Sequence, residues 1–183
     1  MKVLINLCCT AILIALQVVL SRWLSISTPI LKIGFSFVPV VIAARLFGVW
    51  GSVTVYALGD IIGALLFPVG AYFPGFTLSA AISGLIYGLF LKGKSNLPRA
   101  ALAVGLNQLL CSFLLNSLWI SITTGNPYLS LLATRWPQSL LMGVVQVIII
   151  VVALERVCAP IEKSFNRFFG AVRKIEDTIM ETE

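Results

Sequence analysis

Long apolar runs organise this chain, and short segments rich in charged residues, glycine and proline separate them. A membrane-spanning helix needs ~20 mainly apolar residues to cross a hydrocarbon core of ~30 Å. The runs therefore predict six transmembrane helices, over 3–21, 30–47, 50–67, 76–91, 100–122 and 137–154, with the second kinked at Pro39. A cleaved signal peptide is the alternative for the first run, but its length and the lack of an A-x-A site favour a retained helix.

The composition excludes a water-soluble globular protein. Of 183 residues, 59% are apolar and 11% are charged, whereas soluble domains have ~45–50% and ~25%. So few charged side chains cannot cover the surface of a 19.8 kDa globule, and so apolar a chain is not disordered. We expect an all-α membrane protein with a six-helix domain over 1–158 and a cytoplasmic amphipathic tail over 159–183.

The distribution of lysine and arginine predicts that both termini are cytoplasmic. With the N-terminus inside, ten of the 13 basic residues fall on the inner side, and three, Arg22, Lys32 and Arg135, fall outside. This asymmetry follows the positive-inside rule, so a net charge of +6 requires no nucleic acid as partner. After Pro160, apolar residues recur every three or four positions, which predicts an amphipathic helix on the inner membrane surface.

The sequence offers no catalytic, metal or cofactor site. Histidine, the commonest general base and metal ligand, is absent. Residues 88–95 match the nucleotide-binding pattern G-x4-G-K-S, but the first glycine lies inside a predicted span and no strand precedes it. Four cysteines in apolar runs lack a C-x-x-C spacing and are interpreted as small buried hydrophobic side chains: Cys8, Cys9, Cys111 and Cys158.

Small residues at four-residue spacing predict close helix packing. In lipid the hydrophobic effect does not bring helices together, so they associate where small side chains let their backbones approach. Gly59 and Gly63, and likewise Gly84 and Gly88, are expected to pack within this bundle. Asp60 is the one acid inside a predicted span. It is either a structural acid, protonated or hydrogen bonded to Asn or Gln, or a ligand contact. Other polar span residues could share its cavity or join helices: Asn107, Gln108, Asn116, Gln138 and Gln146.

The predicted outer rim combines cations with aromatic residues. Arg22, Lys32 and Arg135 have no acid on that side to neutralise them. Arginine binds carboxylates through paired hydrogen bonds, and aromatic faces stack on flat rings. A pocket for a flat anionic small molecule entering from outside is one interpretation; an aromatic belt with snorkelling cations is the other. The aromatic residues of this rim are Trp23, Tyr72, Phe73, Phe76, Trp119, Tyr128 and Trp136.

Two stretches carry a resemblance to a known family. They are IGFSFVPV over 33–40 and, more specifically, LFPVGAYFPGFTLSAAISGLIYGLFL over 66–91. The chain resembles the folate-specific substrate-binding (S) component of energy-coupling factor (ECF) vitamin transporters along nearly its whole length. The resemblance implies a multi-pass protein of the bacterial cell membrane. Such a protein binds a vitamin in an outward cavity, topples in the bilayer and delivers the vitamin without covalent chemistry.

The resemblance also implies partners. S components dock on a transmembrane coupling subunit that carries two ATPase subunits, and Ala11 and Ala15 match the small-residue motif used for that docking. Folate has a flat pterin, an aminobenzoyl ring and a glutamate tail with two carboxylates. From residue type and depth we hypothesise that Arg22 and Arg135 pair with the tail and that Asp60 or Asn116 bonds the pterin edge. Tyr72, Phe73, Phe76 and Trp119 would then line the ring slot.

Four further residues complete the predicted ligand-binding set: Trp23, Lys32, Thr77 and Trp136. Two alternatives stay open at this point. The scaffold could serve another vitamin or a pteridine-like anion, or the chain could be a structural membrane subunit without a ligand.

Overall fold

The computed structural model describes residues 2–27, 32–68, 72–92 and 97–153, together with positions 160, 163, 164, 167 and 170. Within these ranges the chain is almost entirely helical. A nine-residue π-helix, Asn107–Leu115, joins α4 to α5. The helices are α1 (Lys2–Arg22), α2 (Phe37–Leu66), α3 (Pro74–Leu91), α4 (Leu97–Leu106), α5 (Asn116–Thr124) and α6 (Tyr128–Ala153). The two-residue strands β1 (Ile26–Ser27) and β2 (Lys32–Ile33) pair antiparallel.

Five helical segments in the described ranges are long and apolar enough to cross a membrane. Large apolar side chains remain exposed along them, as expected where the solvent is lipid. The prediction of an all-helical membrane protein is therefore confirmed. The segments are Val3–Arg22, Phe37–Leu66, Pro74–Leu91, Leu97–Thr124 and Tyr128–Val152.

The second and third predicted spans form one helical segment, α2, which is interrupted at Gly48. This residue has φ 72° and ψ −151°, a backbone conformation open to glycine and strained for other residues. The predicted kink at Pro39 is wrong, because Pro39 lies in the first turn of α2, where a missing N–H removes no helical hydrogen bond. The interruption divides α2 into residues 37–47 and 49–66.

Two predicted boundaries differ from the structure. The second span was expected from residue 30, but α2 begins at Phe37, and Lys32–Ile33 forms β2. The last span was expected from residue 137, but α6 begins at Tyr128. Arg135 lies inside α6, and its guanidinium donates a hydrogen bond to Ser117 Oγ on α5, at 3.4 Å. The charge of Arg135, which was expected to precede the last span, therefore does not mark the start of α6.

Glycines set the closest helix contacts. A Cβ on Gly84 would lie 2.7 Å from the Ser52 backbone oxygen, and one on Gly88 would lie 2.6 Å from Val49 Cα. Ser52 Oγ donates to the Gly84 carbonyl across this contact at 2.7 Å. A Cβ on Gly59 would overlap the Gln17 carboxamide of α1. The predicted internal packing of both glycine stripes is confirmed.

A buried polar network joins α3, the π-helix and α6. The fully buried Tyr87 hydroxyl accepts a hydrogen bond from Asn107 Nδ2 at 2.9 Å and donates to Gln146 Oε1 at 3.3 Å. Gln108 Nε2 donates to the same Gln146 oxygen at 3.1 Å. These carboxamides hold helices together, one of the two roles the sequence predicted for them.

Three further predictions concern the cysteines, the C-terminal tail and the G-x4-G-K-S match. Cys111 is buried as expected, but Cys8 is exposed on α1, so its predicted burial is wrong. The amphipathic tail, apart from isolated positions, and Cys158 lie outside the described residues. Of the G-x4-G-K-S match, Gly88 is an interior residue of α3, whereas residues 93–95 lie outside the description.

Candidate functional site

A cavity of about 350 Å³ lies among α1, α2 and α3 and reaches Asn116 at the start of α5. This volume falls in the ~300–1000 Å³ range of small-molecule sites. Half of the twelve predicted ligand-binding residues line it: Arg22, Asp60, Tyr72, Phe73, Phe76 and Asn116. The structure thus brings together residues from four separate regions of the sequence.

Asp60 is held by a short chain of hydrogen bonds. Thr77 Oγ1 donates to Asp60 Oδ2 at 2.8 Å, and the Tyr72 hydroxyl lies 3.0 Å from the same Thr77 oxygen. Because the one hydroxyl proton of Thr77 goes to the carboxylate, Tyr72 must be the donor to Thr77. The partner of Asp60 is Thr77 rather than the expected Asn or Gln. Within the described residues nothing bonds Oδ1, which leaves that oxygen for a ligand.

Arg22 supplies the positive charge of the cavity from the last turn of α1. Its Nε is buried and has no hydrogen-bond partner within the described ranges. Gly63 makes room for it, since a Cβ there would lie 3.0 Å from that nitrogen. No salt bridge joins Arg22 to Asp60, the one acid among the described residues. The cavity therefore presents two opposite charges, and neither has a charged partner in the part of the chain that the structure describes.

Sequence reasoning missed several polar residues of the cavity. Gln17 is only 2% exposed, and its Oε1 has no partner among the described residues. It is one of only two amides in the first span, the other being Asn6, a signal that could have identified it. The serines gave no such signal, because serine is common in transmembrane helices as a packing residue. The missed residues are Gln17, Ser21, Ser36, Tyr56, Ser79 and Ser83.

An aromatic wall borders the cavity. The rings of Phe73 and Trp119 have centroids 5.5 Å apart, and those of Phe73 and Phe76 meet edge to face at 6.3 Å. Trp119 Nε1 donates to Ser79 Oγ at 2.8 Å. Trp119 lies behind this wall and is not part of the lining. Trp119 therefore packs behind Phe73, whereas the sequence predicted that Trp119 lines the slot for the ligand rings.

Three other predicted residues lie away from the lining. Trp23 is 75% exposed and meets Phe67 edge to face, and Trp136 is 55% exposed and contacts Phe113. Both positions suit an aromatic belt. Arg135 is directed to Ser117. Lys32 belongs to β2, and its side chain is outside the description.

A second, polar cavity of about 180 Å³ continues inward from the first. The two cavities share Ser36, Tyr56, Ser83 and Asn116. Asn107 and Gln108 line the inner part, and each has a buried carboxamide oxygen without a partner in the described region. The accessible polar space thus extends from the aromatic wall into the centre of the bundle.

Residues 6–154 match the family model for the substrate-specific component of ECF transporters. The chain belongs to the ECF substrate-specific components. This family consists of transporter subunits rather than enzymes, in agreement with the absence of a predicted catalytic group. The family inferred from the two sequence stretches is thus confirmed.

Two folate transporters and one crystal structure are similar to this substrate-specific component. It is 41% identical over 141 residues to the folate transporter FolT of Clostridium novyi (strain NT), covering 76% of this chain and 82% of the relative. It is 39% identical over 144 residues to FolT of Leuconostoc mesenteroides subsp. mesenteroides, covering 75% and 77%. A crystal structure of FolT bound with folic acid superposes with a TM-score of 0.73 at 35% identity, covering 78% of this chain and 88% of that one.

Proposed function

We propose that this substrate-specific component binds folate on the outer side of a bacterial cell membrane and delivers it by docking to an ATP-driven coupling module. The observation that carries the proposal is the cavity itself. It combines a guanidinium and a carboxylate oxygen that have no partner among the described residues with an aromatic wall. The folate transporters among its relatives support the same substrate.

The two charges would contact different polar groups of folate. Arg22 would donate charged hydrogen bonds to a carboxylate of the glutamate tail. Asp60 Oδ1, with Asn116 nearby in the lining, would accept from the N–H groups of the pterin edge. Phe73 and Phe76 would pack on the rings between them. Arg135 remains a predicted second partner of the tail, and it would have to leave Ser117 to reach the cavity.

We propose six spans with both termini cytoplasmic, because the interruption at Gly48 lets α2 supply two of them. A Cβ on Gly48 would lie 3.4 Å from Lys92 Cδ, so the interruption and the end of α3 lie at the same end of the bundle. Lys92 suits an inner, positively charged surface. The cavity residue Arg22 ends α1 beside Gly63, close to the end of α2, and Tyr72 lies between α2 and α3. Both are therefore at the end of residues 49–66 opposite Gly48, which suits an outward opening.

The surface of α1 is available for a partner. Ala11 and Ala15 are both exposed on it, one helical turn apart. Small residues let a second helix approach closely in lipid. We propose that this face packs on a transmembrane coupling subunit that carries two ATP-hydrolysing subunits.

Titration of the purified chain with folate tests the proposal. Trp119 contacts Phe73 of the cavity wall, so folate should quench tryptophan fluorescence saturably. Trp50→Phe is the matched control, because Trp50 is 83% exposed just after the interruption of α2 at Gly48, outside the cavity lining, and should contribute none of the change. Saturable binding of thiamine, riboflavin or biotin, with none of folate, would contradict the proposed substrate.

Asp60→Asn should weaken folate binding by about 10-fold or more, because it replaces an acceptor of charged hydrogen bonds, each worth ~1.5–3 kcal/mol. The asparagine still accepts from Thr77, so the fold is retained. Calorimetric titration with two fragments of folate shows which end of the ligand depends on Asp60. Pteroic acid, which has the pterin, should lose affinity, whereas p-aminobenzoylglutamate, which lacks it, should bind as before. Equal losses for both fragments would remove Asp60 from the pterin end.

A further inference from the structure

Polar residues in the membrane segment that runs from α4 to α5 come in pairs, and the spacing of these pairs does not fit an α-helix. The pairs are Asn107 with Gln108, Cys111 with Ser112, and Asn116 with Ser117. They begin at positions 107, 111 and 116, whereas an α-helix has about 3.6 residues per turn. Nine positions would make about 2.5 α-helical turns and would place Asn107 and Asn116 on opposite sides of the segment.

The π-helix brings the first residues of the three pairs onto one side. Its hydrogen bonds join residues five positions apart, as does the bond from the Asn116 backbone N–H to the Cys111 carbonyl. Each turn therefore contains more residues than a turn of α-helix. Asn107, Cys111 and Asn116 all line the inner cavity of about 180 Å³, whereas Leu109 and Leu114 are exposed. The π-helix thus gives the segment a cavity side and a lipid side.

Hydrogen bonds to α3 fix the segment on both sides of the π-helix turns. At the start, Asn107 Nδ2 donates to the Tyr87 hydroxyl at 2.9 Å. On α5, Trp119 Nε1 donates to Ser79 Oγ at 2.8 Å. If the same nine positions formed an α-helix, α5 would be rotated by about half a turn relative to α4. That rotation would separate Trp119 from Ser79 and turn Asn116 away from the cavity.

Asn116 lies where the two polar cavities meet, because it lines both of them. Its carboxamide can donate and accept hydrogen bonds, and it makes none within the described ranges. We propose that the π-helix is a positioning element for the ligand. It directs the Asn116 carboxamide to the edge of a flat heterocycle that enters the passage between the cavities. This inference rests on the proposed folate site and adds the element that orients one of its residues.

Deletions in the π-helix test this inference, because they change the register without replacing a cavity residue. Removing Leu114 leaves eight positions from Asn107 to Asn116, which match neither the present nine nor the ~7 of two α-helical turns. Calorimetric titration of the purified full chain should show folate affinity about tenfold lower, as expected when a hydrogen bond to the ligand is lost. Removing Leu110 as well leaves seven positions, so Asn116 aligns again and folate should bind about fivefold more tightly than to the single deletion.

A gain from the second deletion is a result that a merely structural role would not give, because removing more residues should then do more damage. Thermal unfolding of both variants checks that they fold. The inference is overturned if the single deletion binds folate as the parent does. It is also overturned if both variants fold and the double deletion binds no more tightly than the single one.

Cysteine labelling tests the register without a deletion. In the full chain with its native cysteines replaced by alanine, a water-soluble anionic methanethiosulfonate reagent should modify Asn116→Cys roughly tenfold faster than Leu115→Cys, because a thiol packed among apolar side chains ionises poorly. Leu115 is the matched position, since in an α-helix it would align with Gln108, seven positions earlier. Equal rates or the reverse order would overturn the inference.

Added folate should slow the labelling of Asn116→Cys. If folate binds to this variant and leaves the labelling rate unchanged, Asn116 is not beside the ligand and the inference is overturned. A parent chain that binds no folate would instead contradict the proposed substrate. The order of labelling at positions 115 and 116 needs no folate, so it would still decide whether the π-helix turns Asn116 into the cavity.

Discussion

Replacing Arg22 by glutamine is expected to weaken folate binding roughly 10- to 150-fold, the equivalent of one charged hydrogen bond worth ~1.5–3 kcal/mol. The reason is that the Arg22 guanidinium lines the cavity and that its Nε is desolvated, with no hydrogen-bond partner in the described ranges. A desolvated cation without a partner gains more from a carboxylate than an exposed one does. Calorimetric titration of the purified chain measures the change.

Pteroic acid and p-aminobenzoylglutamate, the two folate fragments used for Asp60→Asn, separate the effect of Arg22→Gln from that of Asp60→Asn. Arg22→Gln should cost affinity for p-aminobenzoylglutamate and leave pteroic acid, which has no glutamate tail, nearly unchanged. Arg99→Gln is the control for net charge, because Arg99 is exposed at the start of α4, away from the cavity. If Arg22→Gln leaves the affinity for folate unchanged, Arg22 is not the partner of the tail.

Gly84→Ala is expected to lower the free energy of unfolding by ~1–3 kcal/mol, the usual cost of overpacking a tight contact. The added methyl group would lie 2.7 Å from the Ser52 oxygen and 2.8 Å from Val53 Cα. Both are backbone atoms, so no side-chain rotation relieves the overlap. The helices must separate, which also lengthens the hydrogen bond from Ser52 Oγ to the Gly84 carbonyl. Thermal unfolding in detergent measures the loss.

Gly105→Ala is the matched control, because it makes the same chemical change in a helix where a Cβ meets nothing within 4 Å. Alanine in a helix interior is favoured over glycine by ~0.5–1 kcal/mol, so this variant should unfold at a higher temperature than the parent. If both variants lose stability equally, the loss at Gly84 does not come from its contact with α2.

The membrane class and most helix positions could be predicted because hydropathy and span length act locally along the chain. The interruption at Gly48 could not be predicted this way. Proline is the usual cause of a helix break, but Pro39 lies where a helix tolerates it, and Gly48 adopts a φ of 72°. The start of α6 was also misplaced, since hydropathy marks where the uncharged run begins, whereas the helix begins earlier, at Tyr128, and includes Arg135.

The candidate site was predictable by residue type and only partly by position. Charges and aromatic residues are rare enough in spans to stand out, and Arg22 and Asp60 do line the cavity. Which partner holds Asp60 depends on how α2 and α3 meet, and Thr77 is 17 positions away in the chain. Trp119 illustrates the same limit, because its place behind Phe73 follows from the bundle geometry and not from its chemistry.

The chain of hydroxyls from Tyr72 through Thr77 to Asp60 has an entropic consequence. Immobilising a freely rotating side chain on association costs ~0.5–1.5 kcal/mol. In this protein the carboxylate is already restrained by Thr77, which is itself restrained by a residue of the segment between α2 and α3. That cost is met during folding, so an incoming heterocycle encounters an acceptor whose orientation is fixed in advance.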